Sequence, residues 1–339
     1  MQQEKRIAII EIDSHPEVLR NTLSIFNCLP DISCEIFVLR KIWDEVGVNW
    51  DTSQLNVHIV NKRTQINSFF KSKIDIINDC DAVFFYTLST HYRIFYQLPV
   101  LPPKVLLVHN ANSYLKSLNN IYIKSSAFYI FKDFSYLLLR VFFRLDLYYR
   151  GKLLNEKIDY FSFPSKQITT FIKHKNYTPH DKIVPELPLV YNKLKDRHLQ
   201  SNRVTVAIIG NIDKRRRNYD IVYHAFSNLV DKLGVEVELI LLGEPIGYFG
   251  RATIRKFKKL SRKHFKVTTY NSFVQQDTFE ATILKTHFLI IPVYEKTHYK
   301  LFKELYGYTK ISGNINDMIT YSKPAIMPSF YPLSEDLKC

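Results

Sequence analysis

The feature that most constrains the fold is a repeated alternation between short apolar runs and longer polar stretches. The runs are rich in β-branched and aromatic residues, and each polar stretch between them is long enough for a helix. Strands that alternate with helices predict a parallel sheet with crossover helices on its faces. The strand-like runs are 7–12, 35–39, 57–60, 81–86, 104–109 and 158–163 in the first half, and 204–209, 237–242, 266–270, 287–293 and 324–327 in the second.

The alternation weakens once, which divides the chain into two domains. Between residues 179 and 202, prolines and mixed charges replace the regular pattern, as is typical of a crossing between domains. A chain of 339 residues is also longer than one ordinary core requires. We therefore expect an α/β protein with two doubly wound, Rossmann-like domains at 1–190 and 203–339, joined by a linker at 191–202.

In open parallel sheets, ligands bind beyond the carboxyl ends of the strands, so the loops after strands are the candidate sites. In the second half, the loop after the run 204–209 begins with Gly210 and continues into four cations at 214–217. The glycine permits a tight turn, and cations next to a helix N-terminus attract anions such as a diphosphate. The alternative is a turn whose basic side chains only face water.

A second candidate loop precedes the last predicted helix. Its anion-binding groups would be Lys310, Ser312 and the backbone amides of Gly313 and Asn314. Asp317, about one turn into the helix, could accept hydrogen bonds from ribose hydroxyls. The alternative, Ser312 as an ordinary N-cap, does not account for Lys310.

These features resemble the donor domain of GT-B glycosyltransferases of the family 4 type. The resemblance rests on Gly210 with Lys214 and Arg215, on the Leu-Ile-Leu-Leu-Gly run that ends at Gly243, and on the Ser-Lys-Pro-Ala-Ile strand at 322–326. It covers residues 203 to 328. In that family a glycine loop and an Arg-Lys pair hold the diphosphate, and a Glu-x7-Glu segment precedes the last strand.

Counting back from Pro324 aligns Asp317 with the second family glutamate and Thr309 with the first. The ribose role is carried over to Asp317, whereas Thr309 has no carboxylate to take the first glutamate's role. The resemblance thus implies donor-binding residues at Gly210, Arg215, Thr309, Ser312, Gly313, Asn314 and Asp317.

The resemblance also implies a fold and a reaction. The fold would be GT-B, two Rossmann-like domains facing a cleft, and the reaction would be transfer of a sugar from a nucleoside-diphosphate sugar with retention of configuration. Lys214, Arg215 and Lys310 would stabilise the leaving diphosphate in place of a metal. We therefore expect no metal and no cofactor, with the nucleotide sugar as the donor substrate.

Two N-terminal loops supply the remaining candidates. Val108-His109-Asn110 ends a strand and is similar to a His-Asn step of that family, so His109 would contact the transferred sugar or its phosphate. A capped structural histidine is the alternative. The loop after the first strand would provide the acceptor-side residues Asp13, Ser14 and His15.

Members of that family usually continue past the last strand with one or two further helices. Here Cys339 follows Pro324 by fifteen residues, so a shortened C-terminal domain is expected. Together with Thr309, this keeps open a catalytically inactive GT-B scaffold or partner subunit.

The net charge of +15 indicates anionic partners. Residues 128–149 hold nine aromatic side chains, and their interrupting charges favour an in-plane interfacial helix over a spanning one. A large core helix is the alternative. Residues 251–266 add eight basic residues and no acid, so a second surface would face anions.

An anionic membrane surface and a lipid-linked saccharide acceptor would account for this charge, and the protein would then act in cell-surface polysaccharide synthesis. The N-terminus lacks the length and cleavage site of a signal peptide, so we expect a cytoplasmic protein, peripheral at the inner face of the plasma membrane. Binding to nucleic acid is the less favoured alternative, because the chain has no known recognition motif.

Overall fold

The computed structural model describes residues 5–26, 28–46, 55–122, 134–135, 138, 142–143, 145–186 and 203–338. The chain divides into two compact units. The first contains the described part of Met1–Tyr191 together with Tyr299–Glu304 and Tyr308–Lys310. The second contains the described part of Asn192–His298, with Leu305–Gly307 and Ile311–Cys339. Two short segments of the predicted C-terminal domain therefore belong to the first unit.

The first unit contains a six-stranded parallel sheet. Its strands are β1 (Lys5–Glu11), β2 (Ile32–Leu39), β3 (Leu55–Val60), β4 (Ala82–Thr87), β5 (Lys104–Leu107) and β6 (Tyr160–Ser162). The order is β3-β2-β1-β4-β5-β6. The central strand is β1, in which Ile9 pairs with Ile36 on one side and with Phe84 on the other. The chain winds outward from β1 in both directions, so the sheet has a switch point between β1 and β4.

Eight described helices belong to this unit. The first of them, α1, has a proline at its first position and buries Val18, Leu19 and Leu23 against the sheet. Ser165 caps the last, α8, by accepting a hydrogen bond from the Ile168 amide (3.3 Å). The bounds are α1 (Pro16–Phe26), α2 (Arg40–Val46), α3 (Ile66–Ser72), α4 (Ile74–Asn78), α5 (Tyr92–Gln97), α6 (Ala111–Leu115), α7 (Asp146–Glu156) and α8 (Lys166–His174), with 3₁₀ turns at Arg63–Gln65, Leu118–Asn120 and His180–Lys182.

The second unit contains a five-stranded parallel sheet. Its strands are β7 (Arg203–Ile209), β8 (Glu236–Leu242), β9 (Phe265–Thr269), β10 (Phe288–Ile290) and the last strand, β13 (Ala325–Ile326). The order is β13-β10-β7-β8-β9, which puts a switch point between β7 and β10. Between β10 and β13, a separate two-stranded sheet is formed by β11 (Lys296–Tyr299) and β12 (Phe302–Leu305).

Helices cover both faces of the second sheet. Alternate residues of β7 point to opposite faces. Val206 and Ile208 therefore pack with Phe257 in one core cluster, whereas Ala207 and Ile209 join another. The helices are α9 (Tyr219–Leu229), α10 (Gly247–Lys258), α11 (Gln276–Leu284) and α12 (Gly313–Thr320), followed by a 3₁₀ turn at Glu335–Leu337.

Two parallel-sheet α/β units, each doubly wound, confirm the predicted fold class. Among the described helices, none is long and apolar enough to cross a membrane. The predicted interfacial helix at 128–149 lies largely outside the described residues, and its last four residues are the start of α7.

Candidate functional site

The carboxyl edge of the first sheet carries loops that follow β1 and β4, beside the switch point. Asp13, after β1, accepts hydrogen bonds from the amides of Ser89 (2.6 Å) and Thr90 (3.0 Å) and from the Thr90 hydroxyl, all after β4. Arg63 donates to the Asp13 carbonyl (3.1 Å). Asp13, predicted on the acceptor side, therefore joins the two loops through both of its carboxylate oxygens.

Glu11 is a residue of this edge that the sequence-based prediction missed. It is the last residue of β1 and is fully buried. One carboxyl oxygen accepts hydrogen bonds from the amides of Asp13 and Ser14 (both 3.0 Å), while the other, Oε2, lies close to the Thr87 hydroxyl without a hydrogen bond of regular geometry. Burial raises the pKa of Glu11 to about 8, although these neighbours oppose the shift, so the group is neutral at pH 7. A glutamate inside the apolar run 7–12 was the signal that could have identified it.

His15 and His109 lie against each other at this edge. Their rings stack with centroids 4.8 Å apart. The Nε2 atom of His109 is 3.0 Å from the Tyr86 carbonyl, which can only accept, so Nε2 carries the proton and Nδ1 is left as an acceptor. Burial, followed by the charges of His15 and Lys310, holds the pKa of His109 well below its usual value. His109 is therefore a neutral hydrogen-bond acceptor, suited to a substrate hydroxyl group.

Lys310 belongs to the same unit as His109. Its Nζ donates to the Asn110 side chain (2.6 Å), and the backbones of these two residues form an antiparallel bridge. Ala111 donates its amide to the Thr309 carbonyl (2.8 Å). The structure thus places Thr309 and Lys310 beside the loop after β5, whereas Ser312 and the residues that follow it belong to the second unit.

Glu304 lies behind Lys310 and is fully buried. Its carboxyl group accepts hydrogen bonds from the amides of Asn112 (3.2 Å) and Ser113 (2.8 Å) at the start of α6. Burial raises the pKa of Glu304, and the Thr309 hydroxyl, the two amides and Lys310 oppose that shift. Thr309, predicted to bind the donor, is itself fully buried and bonded to this carboxyl group. Neither Glu304 nor its contact with α6 carries a sequence signal, because the partners lie some 190 positions apart.

In the second unit, the loop after β7 turns at Gly210, which has a φ of 89°. A side chain at Gly210 would be strained by this φ and would overlap the Arg217 guanidinium, and one at Gly243 would overlap the Gly210 carbonyl. Both glycines that support the family resemblance are therefore required by close packing at the carboxyl ends of β7 and β8.

Asp213 shapes the rest of this loop. Its buried carboxylate accepts hydrogen bonds from the amides of Arg215 (2.7 Å) and Arg216 (3.0 Å). This arrangement leaves the side chains of Lys214, Arg215 and Arg216 exposed at the carboxyl edge of the sheet.

Arg217 differs from its three basic neighbours, because its side chain is only 8% exposed. Its guanidinium donates to the Asn211 carbonyl (2.9 Å) and to the Asn314 side chain (3.0 Å), and Asn314 in turn donates to the Ile209 carbonyl (3.3 Å). Arg217 therefore connects the first predicted loop to the start of α12. The sequence does not distinguish it from the solvent-facing cations beside it.

The N-terminus of α12 lies at the same edge. Ser312 is at the N-cap position, yet its hydroxyl caps no helix amide and faces the Asn314 side chain at 3.5 Å. A side chain at Gly313 would extend into open space. The first amides of the helix thus have no side-chain cap, which suits an anion. Asp317 is half-buried one turn further into the helix.

In the described residues, the side chains that could bind a metal are dispersed and form no cluster. Among the residues that the structure describes, no three His, Cys, Asp or Glu side chains are grouped as a metal site. The sequence contains one Asp-x-Asp, at Asp79 and Asp81. Asp81 bonds to Lys5 (3.1 Å) and to the Arg6 amide (2.8 Å), at the amino end of β1 and away from the candidate site.

Comparison with solved structures relates the fold to known proteins. Anabaena Alr3699/HepE in complex with UDP aligns with a TM-score of 0.50 at 10% identity, over 95% of this chain and 79% of that one. The catalytic domain of starch synthase IV from Arabidopsis thaliana, bound to ADP and acarbose, aligns with a TM-score of 0.53 at 11% identity, over 96% and 83%. The N-terminal domain of trehalose-6-phosphate phosphatase from Candida albicans also aligns, with a TM-score of 0.53 at 12% identity, over 95% and 82%.

No protein-family model matches the sequence, and no curated protein matches it. At identities this low, the likeness is one of fold. The chain therefore shares the two-unit, parallel-sheet α/β fold of these proteins, with its candidate residues at the carboxyl edges of both sheets.

Proposed function

We propose that the protein is a glycosyltransferase that moves a sugar from a nucleoside-diphosphate donor to a saccharide acceptor. The observation that carries the proposal is the arrangement at the carboxyl edge of the second sheet, where the Gly210 turn, the exposed cations after it and the uncapped start of α12 meet through Arg217 and Asn314. Backbone amides and cations of this kind bind diphosphates. HepE bound to UDP-glucose and the starch synthase domain bound to ADP support the proposal, because both have this fold.

In the second unit, Lys214 and Arg215 would hold the diphosphate together with the amides of Gly313 and Asn314. Asp317 would accept hydrogen bonds from the ribose. The negative charge that develops on the leaving nucleoside diphosphate would be offset by these cations, so that transfer would need no essential metal. The proposed stereochemical outcome is retention.

In the first unit, the unprotonated Nδ1 of His109 would accept a hydrogen bond from a hydroxyl of the transferred sugar. Lys310, held by Asn110 beside it, would add a positive charge to the same subsite. The acceptor would meet Ser14 and His15, because the Asp13 carboxylate is already bonded to the neighbouring loop.

We further propose a lipid-linked saccharide as the acceptor, in cell-surface polysaccharide synthesis at the inner face of the plasma membrane. The charge of +15 supports this, since an anionic leaflet attracts such a protein. Exposed apolar side chains in the first unit also support it, among them Leu118, Phe142 and Phe143.

Nucleotide binding tests the proposed site directly. Isothermal titration should detect binding of UDP or ADP, and replacement of both Lys214 and Arg215 by alanine should weaken it about a hundredfold, since each charge-assisted contact contributes about 1.5 kcal/mol or more. The thermal midpoint should stay unchanged, because both side chains are exposed. Lys232→Ala, an exposed lysine before the amino end of β8, is the matched control and should bind as the wild type does.

Gly210→Ala should weaken nucleotide binding further, because its methyl group would displace the Arg217 guanidinium that connects the loop to α12. Gly234→Ala provides the control, since a methyl group there meets nothing within 4 Å. If neither nucleotide binds to the wild type, the catalytically inactive scaffold becomes the better description and the proposed donor site is wrong.

A further inference from the structure

Helix α10 and the turn after it carry positive charge on one side. Residues 251–266 contain eight lysines and arginines and no acidic residue. With about 100° between successive helical residues, four of these cations and one tyrosine fall within an arc of about 100°. We call this arc the α10 face. It consists of Tyr248, Arg251, Arg255, Lys258 and, at the helix C-cap, Lys259.

The opposite side of the helix is fixed in the core of the second unit. Ile254, Phe257 and Leu260 are buried there and pack in the same cluster as residues of β7 and β8. Because this apolar side already packs in the core, α10 cannot turn it toward another surface. The α10 face is therefore presented outward by a rigid support.

The basic residues of this segment differ in whether they have acidic partners. Three do: the pairs are Lys256 with Asp220 (2.6 Å), Arg262 with Asp231 (3.6 Å) and Lys266 with Glu238 (3.1 Å). Within the described part of the chain, none of the four cations of the α10 face forms an ion pair. Like charges three and four residues apart, such as Arg251 and Arg255, repel each other on a helix. An external anionic partner would remove that repulsion.

Exposed apolar side chains lie at one end of the α10 face. Tyr248 is 76% exposed and Ile246, just before the helix, 39%. Phe273, in the loop after the neighbouring strand β9, is 65% exposed. Because β8 and β9 are adjacent and parallel, the loops that carry these residues share the carboxyl edge of the sheet. Cations thus extend along the helix from an edge that exposes two aromatic rings and an isoleucine.

We propose that the α10 face docks on an anionic phospholipid bilayer. Lipid headgroups accommodate both parts of the surface, with phosphates for the cations and the interfacial layer for the aromatic and aliphatic side chains. Nucleic acid would pair its phosphates with the cations and stack its bases on the rings, but it offers no apolar partner for the exposed Ile246. The contact is limited to headgroups and is therefore reversible and sensitive to salt. The inference rests on the proposed membrane association and names the surface that makes it.

Co-sedimentation of the full-length protein with vesicles tests the α10 face. Binding is expected to vesicles that contain phosphatidylglycerol, to fall at high ionic strength, and to be absent with phosphatidylcholine alone. Replacing Arg251, Arg255, Lys258 and Lys259 together by glutamine should lower the partition coefficient by a factor of about 100 to 1,000. Tyr248→Ser should lower it by a smaller factor at every salt concentration.

The control removes the same number of charges from the exposed surface of the first unit, by replacing Lys62, Lys71, Lys166 and Lys175 with glutamine. This variant should bind vesicles nearly as well as the wild type. Equal losses in both variants would mean that only net charge matters and would overturn the proposal, as would unchanged vesicle binding with lost binding to single-stranded RNA in the α10 variant. UDP or ADP titration of the α10 variant reports separately on the proposed donor site, and it should match the wild type.

Discussion

Glu11→Gln is expected to raise the free energy of unfolding of the first unit by about 3 kcal/mol at pH 7. The pKa of Glu11 is about 8 in the folded protein, against an ordinary value of 4.5. At neutral pH the Glu11 carboxyl is protonated in the folded protein and ionised in the unfolded chain, so folding takes up one proton. The stability of the wild type therefore falls as the pH rises from 4.5 to 8. Glutamine is neutral throughout, can accept the same amide hydrogen bonds from Asp13 and Ser14, and can donate to the Thr87 hydroxyl.

The dependence on pH distinguishes this explanation from a simple change in packing. Denaturant unfolding should give nearly equal stabilities for the two proteins at pH 4, and a difference that grows until about pH 8 and then levels off. The control Glu45→Gln alters an exposed side chain and should change stability by less than about 0.5 kcal/mol. A difference for Glu11→Gln that is constant from pH 4 to 9 would contradict the proton linkage.

Lys310→Ala is expected to lower kcat/KM for sugar transfer by a factor of about 100 to 1,000, which corresponds to about 3 to 4 kcal/mol of transition-state stabilisation. The reason is that Lys310 would bring its positive charge, beside His109, to the subsite proposed for the transferred sugar and its phosphate. The loss should fall mainly on kcat, since charge stabilisation acts more on the transition state than on the bound substrate.

Lys303→Ala is the matched control for this variant. Lys303 also belongs to the first unit, in the segment Tyr299–Glu304, but its exposed ammonium group lies over the Tyr122 ring (5.0 Å), and its loss should leave kcat unchanged. Both variants should retain the wild-type circular dichroism spectrum, because Lys310→Ala removes side-chain contacts with Asn110 and with the Tyr299 ring (5.6 Å) but leaves the backbone bridge to Asn110 in place. A fully active Lys310→Ala enzyme would refute the catalytic role proposed for this lysine.

The sequence predicted the sheets well because their strands carry a local signal. Runs such as 204–209 are apolar on both faces, and such runs are typical of strands covered by helices on both sides. The boundaries of α10 were predicted less well. The sequence drew attention to the basic run 251–266, whereas the helix begins earlier, at Gly247, and ends at Lys258. Gly250 is required inside that helix because the backbones of Pro245 and Ile212 approach it closely.

The residues that make up the first unit could not all be predicted from a local pattern of this kind. Tyr299–Glu304 and Tyr308–Lys310 join residues that are about 190 positions earlier, and no periodicity reports such a pairing. The sequence likewise treats Lys310 and Ser312 as parts of one loop, although they belong to different units. The burial of Arg217 could not be predicted for a related reason, because its partner Asn314 lies almost one hundred positions later in the chain.

The first unit includes two segments that are synthesised late, Tyr299–Glu304 and Tyr308–Lys310, and these determine when it can finish folding. A ribosome that has finished Tyr191 must add more than a hundred further residues before Glu304 and Lys310 can leave the exit tunnel. At roughly 5 to 20 residues per second, the nascent N-terminal unit waits on the order of ten seconds with the first amides of α6 lacking their carboxylate partner. During this interval the second Rossmann-like unit is already being synthesised. The two units therefore cannot mature strictly one after the other, and completion of the first depends on nearly the whole chain having emerged.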